Sequence, residues 1–227
     1  MHERLKLRDD LFLIAHDEER GFRPRIHLPA LGVGLTGAVL IELLQAHRIA
    51  IDQGHIVPGP AHTKSSTGDR VYDHLMQTFA ATGAVAVPMA ELLPATGRYM
   101  FDQVRDALLA TNVLVPPRRH RLALPRKDYQ PADPTQLVVV RARPRFAVQG
   151  SDDDDLSTQA LCGLLRVLGL EEALYFPTLR YELRDRLDAV AQRIGRRAGA
   201  DAYTAAIPQV IEAVDLAVGD LAVAVYR

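Results

Sequence analysis

Three glycines inside one apolar run constrain this chain more than any other feature. In GVGLTGAVLIELLQAHRIAID, residues 32–52, Gly32, Gly34 and Gly37 keep the G-x-G-x-x-G spacing of a dinucleotide-binding turn. Asp52 follows where a ribose-binding acid would stand. That turn works only where a buried parallel strand delivers the chain into the first glycine. Here Pro29 lies three residues ahead of Gly32, and Arg23, Pro24, Arg25 and His27 precede it. No buried parallel strand has that composition. The glycines are read instead as a tight, close-packed entry to a helix with Thr36 as its N-cap. Val39, Leu40, Leu43 and Leu44 then recur at helical spacing, with Glu42 and Gln45 on the other side. Dinucleotide binding through Gly32, Gly34 and Gly37 stays open as the second alternative.

At 227 residues, 48% of them hydrophobic, the chain is large enough to bury a core as one large domain or two small ones. Lys plus Arg number 27 against 28 Asp plus Glu, so no global charge advertises nucleic acid or an anionic surface, and such contacts must come from local patches. Cys162 is the only cysteine, which excludes an intrachain disulfide framework and fits a reducing compartment. Its setting in QALCGLLRVLGL makes it a small core residue rather than a nucleophile. MHERLKLRDD has no long apolar stretch after its basic residues and is not read as a signal peptide. The longest uncharged apolar run falls short of the roughly 20 residues that span a bilayer, so any membrane contact is expected at the surface.

Along the chain, Leu11 to Ile14 after Asp9 and Asp10 predict a capped short helix ending near Gly21, followed by an irregular or briefly extended FRPRIHLPAL. RIAID and HIVPG on either side of Gln53 and Gly54 predict a hairpin. STGD at 66–69 starts a helix carrying Tyr72, Leu75, Met76 and Phe79 on one face. After a link interrupted by Gly and Pro, Phe101, Val104 and Leu108 mark another helix, and VLVPPRRHRLALPRK predicts a second hairpin with a basic tip. SDDDD at 151–155 is read as a helix cap rather than a calcium site, because no ligand set at EF-hand spacing follows. LRYELRDRLDAVAQRI and IPQVIEAVDLAVGDLAVAVY continue as helix. The expected fold class is mainly α: a single compact helical domain with one or two β-hairpins over residues 1–227.

GLTGAVLIELLQAHRI resembles the signature of the Golgi phosphoprotein 3 family, in which a G-L-R-G-x-x-L-I-E-L helix follows a short loop. LRDDLFLIAHDEERGF, STGDRVYDHL and QVRDALLATNVL extend the likeness, which fades to a general helical one from about residue 132. Only Lys6, Lys64 and Lys127 are lysines among the 27 basic residues, a composition that looks like a bacterial relative. The resemblance implies a non-enzymatic domain without cofactor or metal that docks reversibly on the cytoplasmic face of a membrane by recognising phosphatidylinositol 4-phosphate. Carried over position by position, the family's pocket falls on His27 for its aromatic residue, Thr36 for its arginine, and Asp102 and Arg105 for its two basic helix residues. Only Arg105 keeps the charge, and Asp102 would repel the ligand. Arg23 and Arg25 restore positive charge from the loop, and the amides at a helix start near Thr36 would suit an anion. The candidate headgroup residues are therefore Arg25, His27, Thr36 and Arg105, for a phosphoinositide or another anionic headgroup.

The second hairpin is the family's other bilayer contact, here Arg118, Arg119, Arg121, Leu122 and Leu124, with contact to another subunit as its alternative role. The family's arginine-bearing N-terminal tail has no counterpart ahead of the domain, so coat recruitment and glycosyltransferase sorting are not expected. A winged-helix DNA-binding protein, with RRHRLALPRK as the wing, is the first alternative. No recognition helix rich in Arg, Asn and Gln precedes either hairpin, which favours a lipid surface over nucleic acid. No G-x-S-x-G elbow, P-loop or spaced pair of histidine ligands points to catalysis.

Overall fold

The computed structural model describes residues 4–61, 66–81, 83, 85–116, 129–151, 155–196 and 201–224. Helix α1 (Leu7–Ile14) leads into a two-residue antiparallel pairing of β1 (His16–Asp17) with β2 (Arg23–Pro24). Helix α2 (Leu28–Gln45) follows, then the hairpin of β3 (Ile49–Asp52) and β4 (His55–Pro58). Helix α3 (Arg70–Ala81), β5 (Val87–Pro88) and α4 (Met89–Ala110) come next. A second antiparallel pair, β6 (Leu114–Val115) with β7 (Gln130–Pro131), precedes α5 (Thr135–Val148) and α6 (Leu156–Val167). A 3-10 turn at Glu171–Leu174 separates α6 from α7 (Arg180–Ala191), α8 (Arg193–Arg196) and α9 (Ala202–Ala224). Helix dominates and the strands are short antiparallel pairs, so the mainly α fold with hairpins is what the chain adopts.

Helix α2 is the centre. Every residue from Leu31 to Leu44 is buried, so the helix has no solvent face, and its glycines explain how. A Cβ on Gly32 would sit 1.9 Å from the carbonyl oxygen of Gly97 in α4. One on Gly34 would meet Leu168 at 2.5 Å, and one on Gly37 would meet Val214 of α9 at 2.4 Å. Three glycines therefore admit three neighbours on different sides, the closest being backbone against backbone. By length and composition α2 could cross a membrane, but 78% of that stretch is buried inside the domain.

These contacts correct the expected helix start. Pro29 occupies the first turn of α2, where its missing N–H costs nothing, and His27 is the N-cap. Thr36 lies in mid-helix with 0% exposure; its hydroxyl donates to the Gly32 carbonyl at 2.9 Å and lies 3.3 Å from that of Thr96. It is no N-cap, and the amides around it are inside a helix rather than at the start of one. No strand feeds Gly32, and the strand pairs among the described residues are antiparallel. The glycines thus serve helix packing and form no dinucleotide turn.

Other boundaries also moved. Helix α1 stops at Ile14 rather than near Gly21, and Lys6, not Asp9 or Asp10, is its N-cap. The His16 ring donates from Nδ1 to the Phe12 carbonyl at 2.6 Å, closing an otherwise open helix end. Helix α4 starts at Met89 and runs through Pro94 and Gly97, where the sequence predicts an interrupted link. The first hairpin forms where the sequence predicts one, with Asp52 opposite His55 across Gln53 and Gly54, and it gains β5 as a third strand. Asp69 accepts from the amide of Val71 at 2.9 Å and Asp155 from that of Thr158 at 2.8 Å, so both acidic caps stand. Cys162 is fully buried in α6. The second hairpin is paired at its base, Leu114 opposite Pro131. Its tip, with Arg118, Arg119, Arg121, Leu122 and Leu124, lies outside the described residues.

Gly32→Ala is expected to cost about 3 kcal/mol or more, because the obstacle is backbone and cannot turn aside. Gly219→Ala in α9, where a Cβ meets nothing within 4 Å, should be neutral or stabilising by up to about 1 kcal/mol. Urea unfolding of the two variants tests the contrast, and equal stabilities would contradict it.

Candidate anion-binding cleft

The end of α1 fixes one wall of a cleft. His16 stacks on Phe12 and Phe22 with ring centroids 4.3 and 4.7 Å away, and Phe101 of α4 lies 6.0 Å off. With Nδ1 spent as a donor on Phe12, Nε2 is left to accept from the Tyr129 hydroxyl at 3.1 Å. This aromatic knot anchors the loop between β1 and β2. The Arg25 amide then donates to the Ala15 carbonyl at 2.8 Å, which turns the loop back across the end of α1.

The second wall is the stretch after α6. Gly169 and Tyr175 both take left-handed backbone, with φ of +65° and +48°, and between them the 3-10 turn carries Glu171 and Glu172. The Arg25 guanidinium reaches across, donating to the Tyr175 hydroxyl and lying 3.4 Å from Asp17. Glu18 on the same loop accepts two bonds from Arg141 of α5, at 2.7 and 2.6 Å, and these hold its carboxyl below the usual range despite partial burial. Loop, α5 and Tyr175 are thereby tied together.

Between the walls lies a cleft of about 360 Å³, lined by Arg20, Arg23 and Arg25 from one side and by Gly169, Ala173 and Arg180 from the other. Asp17 and Glu172 are its acids. Arg20 is 83% exposed and only loosely paired with Asp17 at 3.7 Å. Arg23 is exposed and has no ion-pair partner among the described residues. Arg180 lies 3.3 Å from Glu171 and 3.5 Å from Glu172. Arg25 and Arg180 face Asp17, Glu171 and Glu172, which leaves the exposed Arg20 and Arg23 as the less closely paired guanidiniums of the cleft. Forked donors of this kind suit an oxyanion with several acceptor oxygens.

The residues chosen from sequence do not share one pocket. Arg25 lines the cleft. His27 is exposed at the start of α2, where its carbonyl accepts from the Leu31 amide at 3.0 Å. Thr36 is buried between α2 and α4 and offers nothing to a surface ligand. Replacing it by arginine to restore the family's charge would drive a guanidinium into that interface. Arg105 bonds Asp102, an acid expected to repel ligand, and also Asp106 at 2.8 Å, so its charge is already matched. Sequence reasoning missed Arg180 and the 169–175 stretch, because no local pattern shows that they face the 17–26 loop.

A family model for Golgi phosphoprotein 3 (GPP34) matches residues 7–214, from the first turn of α1 to α9. A search among curated proteins gave no match.

Burial holds the His16 ring neutral, lowering its pKa from the ordinary value to about 4; Arg25 adds to this and the bond to Phe12 opposes it. An unfolded histidine takes its proton near pH 6.5, so between about 6.5 and 4 the unfolded chain binds a proton that the folded one refuses. Stability from this site is present at neutral pH and is lost as pH falls through that window, to a total of about 3 kcal/mol. Unfolding free energies of wild type and His16→Phe should diverge by that order on acidification, with the wild type losing more; parallel pH profiles would contradict the assignment.

Proposed function

The chain belongs to the Golgi phosphoprotein 3 family, and from that premise we propose that it is a non-enzymatic, peripheral membrane protein whose arginine-lined cleft takes an anionic lipid headgroup. The observation that carries this reading is the cleft between the 17–26 loop and the 169–180 stretch, with Arg20 and Arg23 exposed and Arg25 and Arg180 beside them. A phosphomonoester carries close to two negative charges and three acceptor oxygens. Several guanidiniums converging on one opening offer such a group charge-assisted bonds without a metal.

The family's own ligand, phosphatidylinositol 4-phosphate, comes to this chain with a modified site. Thr36 and Asp102 supply no positive charge at the inherited positions, and Arg105 is satisfied by its neighbours. Arg20, Arg23, Arg25 and Arg180 supply it elsewhere. Because Asp17 and Glu172 remain in the same cleft, binding is set more by the charge of the surface than by the stereochemistry of one headgroup. Reversible attachment to the cytoplasmic face of a membrane follows, with the basic segment around Arg118, Arg119 and Arg121 as a second, independent contact.

The test is co-sedimentation with vesicles of phosphatidylcholine containing phosphatidylserine or, at matched charge, phosphatidylinositol 4-phosphate. Each basic residue near an anionic surface contributes about 1 kcal/mol, so Arg20→Ala with Arg23→Ala should weaken binding by about thirtyfold at low salt. Little preference between the two anionic lipids is expected. A double variant that sediments like the parent would remove the cleft from the reading, and strong discrimination at matched charge would mean a stereospecific site.

A further inference from the structure

Helix α5 carries a feature that the cleft does not use. Its sequence, TQLVVVRARPRFAV, contains three arginines and no acid. Leu137, Val140, Arg141, Pro144, Ala147 and Val148 face inward. On the outside, Val138 is 68% exposed, Val139 47% and Phe146 61%. At about 100° per residue, Val138, Ala142, Phe146 and Val139 fall within an arc of about 100°, bordered by Arg145 on one side and Arg143 on the other. The outer face is thus an apolar stripe between two guanidiniums.

That stripe continues into the cleft. Arg145 lies over the Phe176 ring at 6.0 Å. Tyr175, 45% exposed, is flanked by Arg141 at 4.9 Å and by Arg25 of the cleft at 5.3 Å. One surface therefore runs from the arginine cleft across Tyr175 and Phe176 to Phe146 and the valines, with Arg25, Arg141 and Arg145 beside its aromatic groups and Asp155 sharing the groove of Val139 and Arg143 at its far edge. The exposed apolar side chains of α9 differ in charge setting: Leu216 and Val223 stand among Glu212, Asp215 and Asp220. An anionic interface would accept the first surface and repel the second.

We infer that the outer face of α5, with Tyr175 beside it, is a shallow insertion surface for an anionic lipid bilayer, oriented so that the cleft meets the headgroups while Phe146 and Val139 enter the acyl boundary. This rests on the membrane-binding reading above and adds to it which face of the domain lies against the lipid. Exposed aromatic and aliphatic groups gain by leaving water at such an interface, and arginine can keep its guanidinium at the phosphates while its stem follows the apolar surface. Arg141 and Arg143 are held to the body by Glu18 and by Asp10, the latter at 2.7 Å, so the stripe is presented on a fixed helix.

The chain contains no tryptophan, so Phe146→Trp places a single reporter on the stripe and Leu216→Trp places one on α9 as the control. Both are mixed with vesicles of phosphatidylcholine and phosphatidylserine, with or without brominated acyl chains. The expected result is that both variants sediment, while only the tryptophan at position 146 shifts to shorter wavelength and is quenched by bromine several-fold more than the one at 216. Sedimentation without quenching at 146 would overturn the insertion face and leave membrane binding standing. Failure of both variants and the parent to sediment would overturn both. A concentration-dependent dimer that Phe146→Ser abolishes, with no quenching, would assign the stripe to a second copy of the chain and overturn the inference.

Discussion

The approach of Gly32 to the backbone of Gly97 is the contact on which the rest of the structure depends. A helix buried on every side has no freedom to shift away from a neighbour, so each neighbour's distance must be set by what α2 omits. Gly32 sets the distance to α4, Gly34 admits Leu168 just beyond α6, and Gly37 admits Val214 of α9. The second of these places the stretch from Gly169 to Arg180, one wall of the cleft. The other wall lies directly before α2, where β2 and Arg25 lead into the His27 cap. Packing in the core and geometry at the surface are therefore one problem in this fold.

Buried charge does the remaining tethering. Arg8 donates through its amide and guanidinium to Glu42 of α2 at 3.0 and 3.2 Å, and also bonds Asp69 at the start of α3. Burial pushes the Glu42 carboxyl up to about 7, with Arg8 opposing, and pushes Asp10 up to about 7 against the pull of Arg143. Such pairs lose much of their attraction to desolvation and are better credited with fixing which elements meet than with large stability. Here they join α1 to α2, to α3 and to α5, four elements whose apolar faces alone would leave their registers less determined.

Much of this was legible from residues. Leu75 and Phe79 at helical spacing, the Asp69 and Asp155 caps and the Gln53–Gly54 turn each express a local rule, and each stands in the structure. Helix α5 escaped because its inward row includes Arg141 and Pro144, which break the apolar period although they occupy the right positions. Thr36 was misplaced because a glycine run resembles a helix entrance locally, and only the partner helix, α4, shows that the glycines are contact points. Of the candidate site, Arg25 was accessible to sequence reasoning and Arg180 was not. The latter faces Arg25 solely through tertiary packing, and no pattern within either segment carries that information.

The central claim is that the anion goes to the cleft between the 17–26 loop and the 169–180 stretch, not to the helix positions that the family resemblance assigns. Titration of isotopically labelled protein with soluble inositol 1,4-bisphosphate, followed by NMR of backbone amides and arginine side chains, tests it directly. The account predicts saturable shifts at Arg20, Arg23, Arg25, Gly169 and Arg180, with Arg105 and His27 little changed. Shifts concentrated at His27, Asp102 and Arg105, with the cleft silent, would contradict it.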